Sequence, residues 1–112
     1  MPLTAIEALA EPHRRQILDL LNARERSVGE LVGELPVSQP AVSKHLRVLR
    51  DAGLVQARTD AQRRIYTVRA EPLLELDRWL APYRRHWARR LDALERRLDQ
   101  IDEHSDDAKE TA

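Results

Sequence analysis

Apolar residues recur along the chain at intervals that mark out a series of helices and then one pair of strands. Thr4 with Glu7, and Ser27 with Glu30, have the S/T-x-x-E spacing in which a hydroxyl and a carboxylate satisfy the free N–H groups opening a helix. Pro12 suits a first helical turn, where its missing N–H costs nothing. Behind it Ile17, Leu18 and Leu21 form the stripe of an amphipathic helix expected to run to about Ala23. Ser27 opens a short helix carrying Val28, Leu31, Val32 and Leu35, which Pro36 ends. Ser38 caps a third helix, residues 38–52, whose apolar positions Val42, Leu46 and Leu49 are spaced i, i+4, i+7. Gly53 is its expected stop.

Beyond Gly53 the period changes. LVQAR and RRIYTV read as strands flanking TDAQ, a hairpin whose turn lacks glycine and so leaves its type open. From Glu71 the helical pattern returns: Leu73, Leu76, Leu80, Tyr83 and Trp87 follow 3-4-3-4 spacing, and Leu91, Leu94, Leu98 and Ile101 continue the seam. Pro82 is expected to kink or split this helix near Ala81. The polar, acidic end EHSDDAKETA is expected to be disordered. The predicted fold is mainly α with a small β-hairpin, a winged helix-turn-helix over residues 1–101 followed by an acidic tail over residues 102–112.

A chain of 112 residues holds one domain with a modest core, so pairing with a second copy would help to stabilise it. No apolar run approaches the roughly 20 residues of a membrane span, and the start shows no basic segment followed by a long apolar one. With no cysteine there is no disulfide, thiolate metal site or redox switch. A cytoplasmic protein with no membrane partner is the expectation.

Net charge is zero, with 19 basic and 19 acidic residues, which taken alone argues against nucleic acid. The distribution changes that picture. Between Ser38 and Arg69 seven basic residues (Lys44, Arg47, Arg50, Arg58, Arg63, Arg64 and Arg69) face only Asp51 and Asp60, a local net charge of +5. Because charges beyond a Debye length of about 10 Å are largely screened, such a stretch attracts a polyanion whatever the total. The plainer alternative is an ordinary solvated face.

Two short helices, a tight connection, a third helix and a basic hairpin follow one another in winged helix-turn-helix order. The run SVGELVGELPVSQPAVSKHLRVLRDAGLV, followed by ARTDAQRRIYTV, resembles the ArsR-type family of bacterial repressors. LAEPHRRQILDLL resembles that family's first long helix, and the likeness covers most of residues 3–100. WLAPYRRHWARRLDALERRL looks like the subgroup that lacks metal ligands and includes autorepressors. The resemblance implies a homodimer that binds operator DNA and releases it when a small effector or other signal, unidentified here, arrives.

The residues themselves are consistent with this. A helix entering the major groove needs an apolar back and a polar front. Val42, Leu46 and Leu49 supply the back, while Ser38, Gln39, Ser43, Lys44 and Arg47 face the other way and Pro40 and Ala41 permit close approach. Gln39 suits bidentate pairing with adenine and Ser43 suits several bases, whereas Lys44 and Arg47 fit bases or phosphates alike. His45 stands where the family carries a histidine, which implies backbone contact or packing. Arg58, Arg63 and Arg64 on the hairpin are placed for phosphates or a minor groove. Leu76, Trp79, Leu80, Tyr83, Trp87 and Leu91 are the candidate dimer surface, an apolar seam too long for a small domain to cover alone.

Rival functions have less support. His13, His45, His86 and His104 stand near no nucleophile, glycine-rich loop or paired carboxylates, so no enzyme is expected. The metal sensors of the resembled family imply a soft-ligand site that falls on Ser27, Gly29 and Val32, none of which binds soft metals. A second family site would need a histidine–carboxylate set that Asp77 and His86 leave incomplete. No metal ligands and no cofactor are therefore expected. A winged helix used only for protein contacts would need no basic stretch.

Overall fold

The computed structural model describes the backbone of residues 3–110 and the side chains of residues 4–102. Its elements are α1 (Leu3–Leu9), α2 (Pro12–Ala23), β1 (Arg26–Ser27), α3 (Val28–Glu34), α4 (Gln39–Asp51), β2 (Val55–Asp60), β3 (Arg63–Val68) and α5 (Glu71–Glu110). The chain forms two compact units, Met1–Arg78 and Trp79–Ala112.

In the first unit, capping chemistry sets most helix boundaries. Glu11 accepts the Arg14 N–H at 3.0 Å and opens α2, with Pro12 in the first turn as expected. Arg14 and Arg15 reach back across the bend, donating to the Ala8 carbonyl at 2.6 Å and the Leu9 carbonyl at 2.7 Å. They thereby satisfy acceptors that the end of α1 leaves open. Helix α1 already includes Leu3, so Thr4 lies inside it rather than at its cap. Ala5 and Ala8, both buried, fix the lie of this helix by packing instead.

Ser27 and Glu30 form both halves of the predicted capping box. Ser27 also belongs to β1, a two-residue strand that the sequence gives no period to reveal. Arg26 beside it is buried, donates to the Leu20 carbonyl at 3.1 Å and pairs with Glu34. Helix α4 is capped by Ser38, which accepts the Ala41 N–H at 3.3 Å. At its far end Gly53 adopts φ 75°, while the Gly53 and Leu54 N–H groups donate to the Arg50 and Leu49 carbonyls, each at 2.9 Å. This paired closure needs a left-handed residue, which glycine supplies without a Cβ penalty.

Strand order in the antiparallel sheet is β1-β3-β2. The hairpin is tighter than the sequence suggests. Thr59 and Asp60 pair with Arg64 and Arg63, so the turn is Ala61–Gln62 rather than TDAQ. Ala61 takes φ 56°, the left-handed conformation that a two-residue turn demands and that an alanine adopts only at a cost. The core joins Ala5, Ala8, Ile17, Leu18, Leu21, Leu31, Val42, Leu46, Leu49, Leu54, Val55 and Tyr66.

Helix α5 runs for 40 residues with Pro82 inside it, so of the expected kink or split, the split does not occur. A proline deletes one hydrogen bond of the ladder, and here the helical bonding on both sides carries the backbone through. In the second unit Trp79, Tyr83, Trp87, Leu91, Leu94, Leu98 and Ile101 are 40–60% exposed, and the Trp79 and Tyr83 rings lie 5.1 Å apart. The backbone expected to be a disordered tail is helical as far as Glu110, while its side chains from residue 103 onward and residues 111–112 lie outside the described part.

Candidate nucleic-acid interface

The back of α4 is sealed, with Val42, Leu46 and Leu49 no more than 1% exposed. Ser38, Gln39, Pro40, Ser43, Lys44 and Arg47 are exposed, while Ala41 and His45 are half-buried. The outer positions 39, 43, 44 and 47 recur at helical spacing and give one continuous polar face beside Pro40, as the sequence predicts. Ser38 has its hydroxyl engaged in the cap, so its first role is to begin the helix.

On the wing, Arg58 and Arg63 are already paired with carboxylates. Arg58 makes a two-point ion pair with Glu25, at 2.5 and 2.7 Å. Hydrogen bonding from Arg58 holds the Glu25 carboxyl below the usual carboxylate range, and Glu25 in turn raises Arg58. Arg63 donates to Glu30 at 2.7 Å, on a carboxylate that Arg24 also grips at 2.8 Å. Bonds from the Arg24 side chain and the Ser27 backbone pull the Glu30 pKa down from 4.5 to about 2 against the opposing effect of burial. Arg64 differs: its guanidinium lies 5.7 Å from the centre of the Tyr66 ring.

Between α4 and β3 opens a cleft of about 480 Å³, lined by Ser43, Arg47, Arg50, Asp51, Arg64 and Tyr66 together with Val28. Three guanidinium side chains against one carboxylate make it an anion-attracting concavity. Arg50 was absent from the expected contact set. The signal for it existed, since Arg50 follows Arg47 by three residues and Ser43 by seven on the same helix and so shares their face.

Comparison with known proteins agrees with this geometry. Residues 11–57 match the family model described as bacterial regulatory protein, arsR family. The HTH-type transcriptional regulator Rv2034 of Mycobacterium tuberculosis is 42% identical over 98 residues, which are 88% of this chain and 89% of that protein. The chain belongs to the ArsR family of transcriptional regulators. The transcriptional repressor SdpR of Bacillus subtilis is 28% identical over 74 residues, 66% of this chain and 82% of that one. The solved ArsR-like transcriptional regulator from Rhodococcus sp. RHA1 superposes with a TM-score of 0.68 at 30% identity, covering 85% of this chain and 90% of its own.

Membership makes the fold a winged helix-turn-helix, with α3 and α4 as the helix pair and β2–β3 as the wing. The family is one of regulators rather than enzymes. Among the described residues no helix is long and apolar enough to cross a membrane. A further grouping escaped the sequence reading: Glu11, His13 and His45 converge beside the inner side of α4. Glu11 and His45 are far apart in the chain, and nothing in linear spacing links them.

Proposed function

We propose that this ArsR-family member is a homodimeric repressor that occupies an inverted-repeat operator, reading bases with Gln39 and Ser43 and gripping the backbone with Lys44, Arg47, Arg50 and Arg64. The observation that carries this reading is the polar outer face of α4, set against a fully buried back and flanked by the three-arginine cleft. That combination suits a helix lying in a major groove while a phosphate strand passes between helix and wing. Arg58 and Arg63 join as secondary phosphate contacts once their glutamate partners are displaced.

Dimerisation rests on the seam of α5. Leu76 and Leu80 are half-buried, whereas Trp79, Tyr83, Trp87 and Leu91 expose 40–59% of their surface, more apolar area in a row than a monomer ordinarily presents to water. Two copies joined there would present two α4 helices one DNA turn apart, about 34 Å, which calls for an inverted repeat.

The test is fluorescence anisotropy on a duplex from the chain's own promoter and on a scrambled duplex, across a salt series. Binding should weaken steeply with salt, by a slope of about −0.9 per phosphate contact. Gln39→Ala and Ser43→Ala should lose more affinity on the promoter than on scrambled DNA, by about 1–3 kcal/mol of discrimination, whereas Arg50→Ala and Arg64→Ala should lose equally on both. Salt-independent binding, or equal losses for the Gln39 and Ser43 variants, would overturn the reading. Sedimentation should show a dimer at micromolar concentration, and Trp87→Ala should shift it towards monomer, since truncating a large ring in a packed interface costs on the order of 3–5 kcal/mol. A monomeric wild type would refute the dimer.

A further inference from the structure

Glu11, His13 and His45 are a cluster that neither the core nor the polar face of α4 accounts for. Glu11 sits at the N-cap of α2, His13 in the first turn of that helix, and His45 midway along α4. One ligating atom from each lies within 4.8 Å of the other two, and all three residues are half-buried. Glu11 Oε1 is 3.0 Å from His13 Nδ1, Glu11 Oε2 is 3.9 Å from His45 Nε2, and the two imidazole centres are 5.8 Å apart. His45 Nδ1 is buried without a hydrogen-bond partner. The nitrogen nearer Glu11 is Nε2, which at 3.9 Å is beyond hydrogen-bonding distance of that carboxylate and so is the ligand atom His45 offers on this side.

We propose that Glu11, His13 and His45 form a binding site for one borderline divalent cation, with Zn²⁺ as the ion that the donor set fits best. Two imidazole nitrogens and one carboxylate oxygen are a three-ligand set that zinc accepts with a fourth position left for water. Calcium and magnesium require a shell of oxygens, and soft thiophilic ions require thiolates that this chain does not contain. Bonds of about 2.0–2.1 Å arranged tetrahedrally place ligand atoms roughly 3.3–3.5 Å apart. Glu11 approaches the two imidazoles through its two oxygens at 3.0 and 3.9 Å, on either side of that spacing, and one ligand atom from each residue lies within 4.8 Å of the other two. The His13 side chain is 38% exposed and that of Glu11 30%, which leaves a path for the ion, while His45 at 16% forms the floor.

A bound cation would tie the start of α2 to α4 through a residue adjacent to Lys44 and two positions from Ser43 and Arg47. It would fix the seat of the recognition helix from behind. The site is distinct from both positions considered on family grounds, Ser27–Gly29–Val32 and Asp77–His86, and it stands or falls independently of DNA binding because its test contains no DNA.

The experiment uses the tag-free 112-residue chain, stripped with a chelator and titrated with Zn²⁺ alone in competition with a chromophoric chelator. The wild type should bind one Zn²⁺ per chain, and Co²⁺ should give the intense visible absorption of a four-coordinate site. His13→Gln should weaken Zn²⁺ binding by at least about tenfold, and His86→Gln should leave it unchanged. His45→Gln should weaken it likewise, but it disturbs a half-buried position, so the decision rests on the more exposed His13. Zn²⁺ at one hundred times its Kd should raise the folded-to-unfolded ratio about a hundredfold in wild type, read as a thermal shift that His13→Gln abolishes. Failure of the wild type to bind Zn²⁺ at micromolar concentration would overturn the site. So would unchanged binding in His13→Gln, or loss of binding in His86→Gln.

Discussion

Replacing Glu25 by glutamine isolates the question of whether the wing withholds positive charge until DNA arrives. In the free protein the Glu25 carboxylate holds Arg58 at two points, and the two side chains together carry no net charge. Both are about half exposed, 49% for Glu25 and 51% for Arg58, so the pair is screened by solvent and removing it should leave the unfolding midpoint nearly unchanged. The effect on DNA should be larger. Arg58 meets a phosphate in both proteins, but in the wild type the freed Glu25 carboxylate draws a cation back from solution; without that uptake the net release rises by up to one counterion and the slope of log K against log salt steepens by up to about 0.9. Between 50 and 200 mM salt, a log change of about 0.6, one such counterion enlarges the loss of affinity by a factor of up to about 3.5. Glu25→Gln should therefore bind more tightly than wild type at low salt and lose the advantage as salt rises. Arg58→Ala provides the control, because adding Glu25→Gln to it should change nothing. Anisotropy on promoter and scrambled duplexes reads both effects. A Glu25→Gln slope equal to that of the wild type, or a gain that survives in the Arg58→Ala background, would refute the reasoning.

Other outcomes follow from the same structure. Glu30 titrates at about 2 when folded against an ordinary 4.5, so the stability it confers is fully present above pH 4.5 and is lost as pH falls from there towards 2; in urea unfolding across that window, Glu30→Gln should lose less stability than wild type, and parallel curves would dismiss the effect. Ala61→Gly removes the Cβ from a left-handed residue and should raise stability by up to about 1 kcal/mol, the 1–2 kcal/mol of relieved strain being offset by glycine's freedom in the unfolded chain; a destabilised variant would mean the turn is not as described. Leu46→Ala removes a side chain only 1% exposed from the back of α4 and should cost about 2–5 kcal/mol in chemical denaturation. A loss below about 1 kcal/mol would show that the docking of α4 does not depend on this contact.

What the sequence displayed and what it hid divide along the distance between interacting residues. The Ser27–Glu30 box, the Ser38 cap, the Gly53 stop and the Val42–Leu46–Leu49 stripe are each settled within one or two turns, and each appears as predicted. Strand β1 has no period to detect, and its pairing of Arg26 with Tyr66 joins residues that no local rule connects. Pro82 shows the opposite case: the local rule allowed a kink or a split, and one lost hydrogen bond does not split a helix with many others. The site was subject to the same division. Counting residues 38–69 gives +5, yet Glu25 and Glu30, the carboxylates that pair with Arg58 and Arg63 from 33 residues away, lie outside the counted stretch. Charge summed along a chain is thus a poor measure of charge available at a surface. Two of the three wing arginines in the expected contact set are already engaged, which leaves the cleft of Arg47, Arg50 and Arg64 as the stronger anion-binding surface in the free protein. The wing pairs then act as a threshold: a polyanion displaces the glutamates only where α4 already holds it in place, so these contacts favour DNA seated in register over a passing encounter.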